Sequence, residues 1–182
     1  GRVCVVTPLP AGLARIGQLI ALLSDERGPG WAAMDDQARA AARTYVPWTR
    51  LLRPGSSTYQ DEPVDDLPAF VAANRERLLL KPCADLGDAR AVRGWAAGEA
   101  EWRAAIASAL RGAWVVQERV PVPEELYPTW SPAAGLRLET RRVGSGPCFF
   151  ITAPEVSAAG CLTRLAGGPG AGDTVAPTFL LV

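Results

Sequence analysis

Leu78-Leu79-Leu80-Lys81-Pro82 and Trp114-Val115-Val116-Gln117-Glu118-Arg119-Val120-Pro121 are the two stretches on which the fold turns. Each is a short apolar run with a polar end, stopped by a proline that has no N–H to give to a strand ladder. That is the pattern of a buried strand. Between them Trp102, Ile106 and Leu110 recur at helical spacing, with Ala105 and Ala109 beside them, so Gly98 to Leu110 reads as a helix. Residues 82–94 read as a polar loop with Gly87 and Gly94. Lys81 is the only lysine, against 18 arginines. A lysine is a compact point charge on a flexible stem and a common phosphate ligand, which makes Lys81 a candidate for a nucleotide or phosphate site. The competing explanation is a coding bias that favours arginine everywhere and leaves one lysine by chance. The strand ending in Gln117-Glu118 can lie along an adenine, its backbone reading the ring edge and Glu118 binding a ribose hydroxyl. Alternatively it is an ordinary buried strand with a polar end.

Composition narrows the function classes. Acidic and basic residues balance at 19 each, so neither a nucleic acid nor a membrane surface is expected as partner. No apolar run is long enough to span a bilayer. The start, Gly1-Arg2-Val3-Cys4-Val5-Val6, reads as a strand entered mid-fold rather than a secretory signal. Cys4, Cys83, Cys148 and Cys161 stand alone, with no CxxC pair and no histidine in the chain. They read as free, mostly buried thiols of a cytoplasmic protein, and no metal site is expected from them. A histidine-based triad is excluded. Acid–base chemistry falls to Asp, Glu, Cys, Tyr or Lys81.

The remaining elements follow from periodicity and punctuation. Residues 2–7 read as a strand, closed by Pro8 and Pro10. Leu13, Ile16, Ile20 and Leu23 mark a helix in which Gly17 is a costly residue needing a reason. Residues 35–44 read as an Ala-rich helix with Asp35 and Asp36 at its positive end. Residues 46–50 are extended, 53–65 are loop, and Asp65-Asp66 opens a helix to about Arg77. A proline-rich excursion runs from Pro121 to Pro132. Strands are expected over 135–143, 147–152, 160–166 and 176–182. Helices in front and strands behind predict an α+β fold. Residues 1–182 form a single region, with a helical front segment over 1–52 and a lobe plus C-terminal sheet over 66–182.

Several segments together resemble the circularly permuted ATP-grasp proteins, relatives of the glutathionylspermidine synthase ligase domain. They are Gly1 to Pro8, Leu22-Leu23-Ser24-Asp25-Glu26, Val46-Pro47-Trp48-Thr49-Arg50, Asn74 to Pro82, Gly94-Trp95, Glu101-Trp102, Val115 to Pro121, Gly160 to Leu165 and Pro177-Thr178-Phe179. Their order and spacing hold over nearly the whole chain, which matches the later part of such a protein and is incomplete at the N-terminus. The resemblance implies an ATP-grasp-like fold of two α+β lobes with antiparallel sheets. It also implies ATP and Mg²⁺ as cofactors, and an ADP-forming carboxylate–amine ligation through an acyl phosphate. By position Lys81 binds nucleotide phosphates, Gln117, Glu118, Arg119 and Val120 form the adenine-side hinge, and Arg164 faces the phosphate or acyl-phosphate end. A carboxylate or peptide-like small molecule is the implied substrate.

The departures from that pattern fall on one function. Thr7 stands where the family usually has a Mg²⁺-binding asparagine, and a lone hydroxyl is a poorer oxygen ligand than an amide carbonyl. Arg15-Ile16-Gly17 replaces a usual Glu-Asn-Lys. Ala84-Asp85-Leu86-Gly87-Asp88-Ala89-Arg90-Ala91 replaces a Gly-rich phosphate loop, with side chains where bare backbone would approach phosphate. Tyr45 stands where a histidine is common. Phosphoryl transfer needs metal and positive charge acting together, so the expectation is impaired catalysis or a non-catalytic module that binds nucleotide weakly or serves a protein partner.

Other features have plainer readings. Glu124-Glu125 and Asp65-Asp66 suit a loop rim and a helix start. The six tryptophans suit core and interface anchors, Trp102 being core by its spacing. Arg137, Arg141 and Arg142 suit a solvated strand face, or a grip on an acidic partner, opposite Leu136, Leu138 and Thr140. Gly167 to Gly172 reads as a mobile turn, since no lysine or helix follows it as a phosphate loop requires.

Overall fold

A computed structural model of the chain describes residues 17–83, 90–152, 155–165 and 174–176. The expected strand over 2–7, the candidate positions Thr7, Arg15 and Ile16, residues 84–89 of the expected polar loop, the 167–172 turn and the last strand beyond Ala176 lie outside the described residues. The chain divides into two compact units, Gly1–Val120 and Pro121–Val182. The fold is α+β, and its sheets are antiparallel.

The first unit is built on a four-stranded sheet. Its strands are β1 (Thr49–Leu51), β4 (Leu78–Pro82), β5 (Val92–Arg93) and β6 (Trp114–Glu118), in the order β1-β6-β4-β5. The register aligns Leu78 with Glu118, Leu80 with Val116 and Lys81 with Val115, while Thr49 faces Gln117 and Leu51 faces Val115. Side chains alternate across a strand, so the sheet has two distinct faces. One face carries Leu78, Leu80 and Val116, all fully buried, and packs with Trp48, Leu52, Leu67, Val71, Trp102 and Ile106 in the main core. Helices α4 (Leu67–Ala73) and α5 (Glu99–Ala109) supply the opposing side chains. The other face carries Leu51 and Val115 and packs on Ala21 of α1 (Gly17–Ser24), with Cys83 beside them.

Local chemistry sets the helix ends. Asp35 caps α3 (Asp36–Tyr45) by accepting from the Ala38 N–H at 2.7 Å, and Asp66 caps α4 by accepting from Ala69 N–H at 3.0 Å. The helix expected to reach Arg77 stops at Ala73, and Arg75–Arg77 is one 3₁₀ turn that feeds β4. A short helix α2 (Pro29–Ala32) precedes α3 and buries Trp31.

The 53–65 stretch, expected as loop, holds a hairpin of β2 (Ser57–Tyr59) and β3 (Glu62–Val64). Its tip is Gln60-Asp61, with φ of 50° and 66°. A two-residue turn of this hand normally takes Asn-Gly or Asp-Gly, so the sequence carries no ordinary hairpin signal.

The second unit is a sheet of β7 (Glu124–Ser131), β8 (Gly135–Thr152), β9 (Glu155–Leu165) and β10 (Thr174–Ala176), in the order β10-β9-β8-β7. The proline-rich excursion is therefore strand over most of its length. β7 lies at the sheet edge, where Pro128 is tolerated. The two strands expected over 135–143 and 147–152 are one. β7 pairs β8 as far as Arg142, and beyond it β9 pairs β8 through Gly144, Gly146 and Pro147. Among the described residues no helix is long and apolar enough to cross a membrane.

Candidate functional site

Lys81 stands one residue before the end of β4 and is half-buried. Pairing with Val115 places it on the α1 face of the sheet, the face that also carries Gln117. Gln117 is its diagonal neighbour across the ladder, about 7–8 Å away by sheet geometry. Among the described residues no carboxylate pairs with Lys81. A cation at a half-buried strand end without a counter-charge is poised for an anionic ligand.

Gly17 explains itself here. A β-carbon on Gly17 would lie 3.0 Å from Val115 Cγ2 and 3.8 Å from Lys81 Cε. The helix therefore approaches β6 and the lysine stem at a distance that a larger residue would disturb.

The polar ends of β6 hold the sheet edge. Gln117 Nε2 donates to Thr49 Oγ1 at 3.0 Å, and Glu118 accepts from the Trp48 N–H at 2.7 Å. Glu118 lies on the opposite face from Lys81, paired with Leu78. It lines a cavity of about 560 Å³ enclosed by the end of α1, by α3 and by the β2–β3 hairpin. Arg119 donates its N–H to Arg77 O at 2.7 Å and stacks its guanidinium over Trp95 at 4.7 Å from the ring centre. Val120 is exposed. The five hinge and phosphate candidates thus divide: Lys81 and Gln117 share one face, Glu118 takes the other, and Arg119 and Val120 lie just past the strand. Arg164 is exposed on β9 of the second unit, between Gly144 of β8 and Val175 of β10. Tyr45 is exposed at the end of α3.

Arg50 is the most heavily engaged side chain near the site. Only 5% exposed, it wraps the open edge of β1. Its Nη1 donates to Ser24 O, Ser24 Oγ and Thr49 O, each at 2.9 Å, and Nη2 donates to Thr58 Oγ1 at 3.2 Å. The guanidinium also lies over Trp48, 5.2 Å from the ring centre. Burial pushes its proton affinity down, and Asp25, 3.9 Å from Nε, opposes that. The cation sits at the C-terminal end of α1, where the helix dipole favours it. The only signal in the sequence is a charge placed inside the apolar run Thr49 to Leu52.

Nearby, Arg43 of α3 holds Glu26 through Nε at 3.0 Å and Nη2 at 2.8 Å. The hydrogen bond from Arg43 lowers the Glu26 carboxyl below its ordinary value of 4.5. A lowered carboxyl gives stability that is present above the unfolded value and lost as pH falls through the folded value. Solvent screens this pair, so the effect on stability is small. NMR titration should place Glu26 below the ordinary glutamate value, and Arg43→Ala should return it toward that value. An unchanged Glu26 in the variant would show that the pair does not form in solution.

Cys83 is buried against α1, and burial pushes its thiol up. Cys161 is also a free thiol. Among the described residues no group of three His, Cys, Asp or Glu side chains could hold a metal ion. No protein-family model matches the chain, and no curated protein matches it.

Proposed function

We propose that the chain is an ATP-grasp-like module, related to ATP-dependent carboxylate–amine ligases, that binds ATP through Lys81 and has impaired phosphoryl transfer. The observation that carries this reading is the placement of Lys81, an unpaired ammonium among the described residues, with Gly17 packed against its stem. Two positions 64 residues apart that the family fills with lysines are neighbours here, as the resemblance requires if both were to grip one phosphate chain.

The residues present fit a nucleotide phosphate better than they fit a metal. Lys81 offers charge, and the α1 face beside it carries the Gln117 amide. The described carboxylates form no metal cluster, so Mg²⁺ is assigned no ligands and no step. With one cation where the family has two, the attraction for a triphosphate falls and transition-state charge goes uncompensated. A cytoplasmic location suits such a module.

Calorimetry with ATP on this chain and on Lys81→Ala tests the reading. Weak binding, little changed by Mg²⁺ and lost in the variant, is expected. Tight binding that demands Mg²⁺ would overturn the impairment, and equal binding by both proteins would remove Lys81 from the site.

A second reading, a non-catalytic module serving a protein partner, is favoured by the β7–β8 hairpin. Leu126, Trp130, Leu136 and Leu138 share one face of it and are 67–72% exposed. Contiguous apolar surface of that kind marks interaction sites. Absence of ATP binding in either protein would leave this reading in place of the first.

A further inference from the structure

We infer that the apolar face of the β7–β8 hairpin is the docking surface for a second copy of this chain, so that two hairpins pack face to face. The inference rests on the reading of this hairpin as a protein-interaction surface and names the partner.

The hairpin turns its apolar side outward. Alternation along the two strands puts Leu126, Pro128 and Trp130 beside Leu138 and Leu136 on one face. A sheet with one wet side normally buries its apolar face and exposes its polar one. Here the apolar face is exposed at every position from Glu124 to Arg142, while Tyr127, Thr129, Glu139 and Arg141 on the other face are partly buried. A slipped register does not explain this, because the turn pins the pairing. The strands are joined through Pro132-Ala133-Ala134 with Gly135 at φ 66°, the left-handed residue that a three-residue hairpin loop calls for, and Ala134 N–H donates to Ser131 Oγ at 3.1 Å. β9 pairs β8 from Val143 onward, so the described pairing over 124–142 is that of a two-stranded ribbon. Such a ribbon is marginal in water until its apolar face is covered.

Charge, edge and area select a second copy as the cover. The two charged residues of the face, Glu124 and Arg142, stand opposite each other and pair at 3.3 Å, so the face is neutral and repels nothing in its own copy. An acidic partner finds no handle there, because Arg137 and Arg141 lie on the opposite face and Arg141 is held by Glu139 at 2.6 Å. Strand addition along the outer edge is blocked: Pro128 interrupts the N–H row of β7, and Glu124 and Glu125 charge its start. Association is left to the face. Two strands of eight residues present roughly 500 Å² per copy, or about 1,000 Å² for a pair, the lower end of what a specific interface buries. A two-fold pair puts the same patch on both sides, and stacking at about 10 Å would cover Trp130, Leu126, Leu136 and Leu138 of each copy in a two-layer sandwich.

Analytical ultracentrifugation of the 182-residue chain, from about 1 to about 300 μM, is expected to show a monomer–dimer equilibrium with a Kd on the order of 10–100 μM, the weak end of specific association for this area. Leu138 is 67% exposed, so a charge there is tolerated by the monomer. Leu138→Lys and Leu138→Glu are each expected to raise Kd at least about tenfold, because like charges then meet across an apolar contact. Mixing the two variants is expected to restore a dimer, which also shows that both are folded. Arg137→Ala, on the opposite face, should leave Kd unchanged. A chain that stays monomeric at the highest concentration, or a dimer that persists in both Leu138 variants, would overturn the proposal. So would a monomer that co-sediments with phosphatidylcholine–phosphatidylserine vesicles, which would assign the face to lipid. None of these readouts involves ATP. A monomer that binds no ATP overturns self-association and keeps the hairpin open to a different protein, whereas a dimer that binds ATP through Lys81 supports the proposal and favours the first reading of function.

Discussion

Trp102→Ala is expected to destabilise the first unit by roughly 3–5 kcal/mol, the range for truncating a fully buried tryptophan. The indole has no exposed surface, and it fills the space between α5, α4 and the sheet face carrying Leu78, Leu80 and Val116. Its Nε1 donates to Val71 O at 3.0 Å, so truncation also leaves a buried carbonyl without its donor. Trp102→Phe separates the two contributions. It keeps most of the ring volume and loses the donor, and it should cost less than half as much. A domain of this size holds about 5–15 kcal/mol in total, so the alanine variant should show a much lower urea midpoint and the phenylalanine variant a modest drop. An alanine variant within about 1 kcal/mol of the parent would mean that the α5 face does not pack as described.

What the sequence made legible follows from which interactions are local. The strands over 78–81 and 114–118, the helix over 98–110 and the caps at Asp35 and Asp66 depend on periodicity and on capping within one turn. Their residues announce them. The hairpin at 57–64 was hidden because its tip uses Gln60-Asp61 in place of a glycine, and a strained turn leaves no compositional trace. Strand β7 was hidden for a related reason. Pro128 argues against a strand in general, yet an edge position removes the objection, and edges are a property of the sheet rather than of the segment. Gly17 read as a helix defect until the packing on Val115 and Lys81 supplied its cause. The candidate site divides in the same way. Lys81, Gln117 and Glu118 were readable as polar residues at strand ends, whereas the opposed faces on which they lie came only from the register. The cavity beside Glu118 carried no signal at all, because a cavity is assembled by tertiary contacts alone.

Arg50→Ala is expected to cost about 3 kcal/mol or more, which is large for a charged residue and follows from burial. The guanidinium is the common donor for the last turn of α1, the outer edge of β1 and the β2 strand of the hairpin. Removing it leaves Ser24 O and Thr49 O with fewer donors at a place where the arginine itself is only 5% exposed. It also strips the cation from the face of Trp48. Two further variants decide which contribution matters. Arg50→Lys keeps the charge at the helix end but cannot reach Ser24, Thr49 and Thr58 together, since an ammonium lacks the fork of donors, and it should recover less than half of the loss. Arg50→Met keeps the stem packed on Trp48 with neither charge nor donors. If the methionine variant is as stable as the parent, the buried charge contributes nothing net and the edge is held by packing alone, an outcome known for other buried ionic groups. If both variants lie near alanine, the hydrogen bonds at Ser24 and Thr58 fix the angle at which the hairpin meets α1. Hydrogen exchange at Thr49 then provides the decisive signal. Its N–H is held by Ser24 Oγ rather than by a neighbouring strand, and it should lose protection in every Arg50 variant that lets Ser24 swing away.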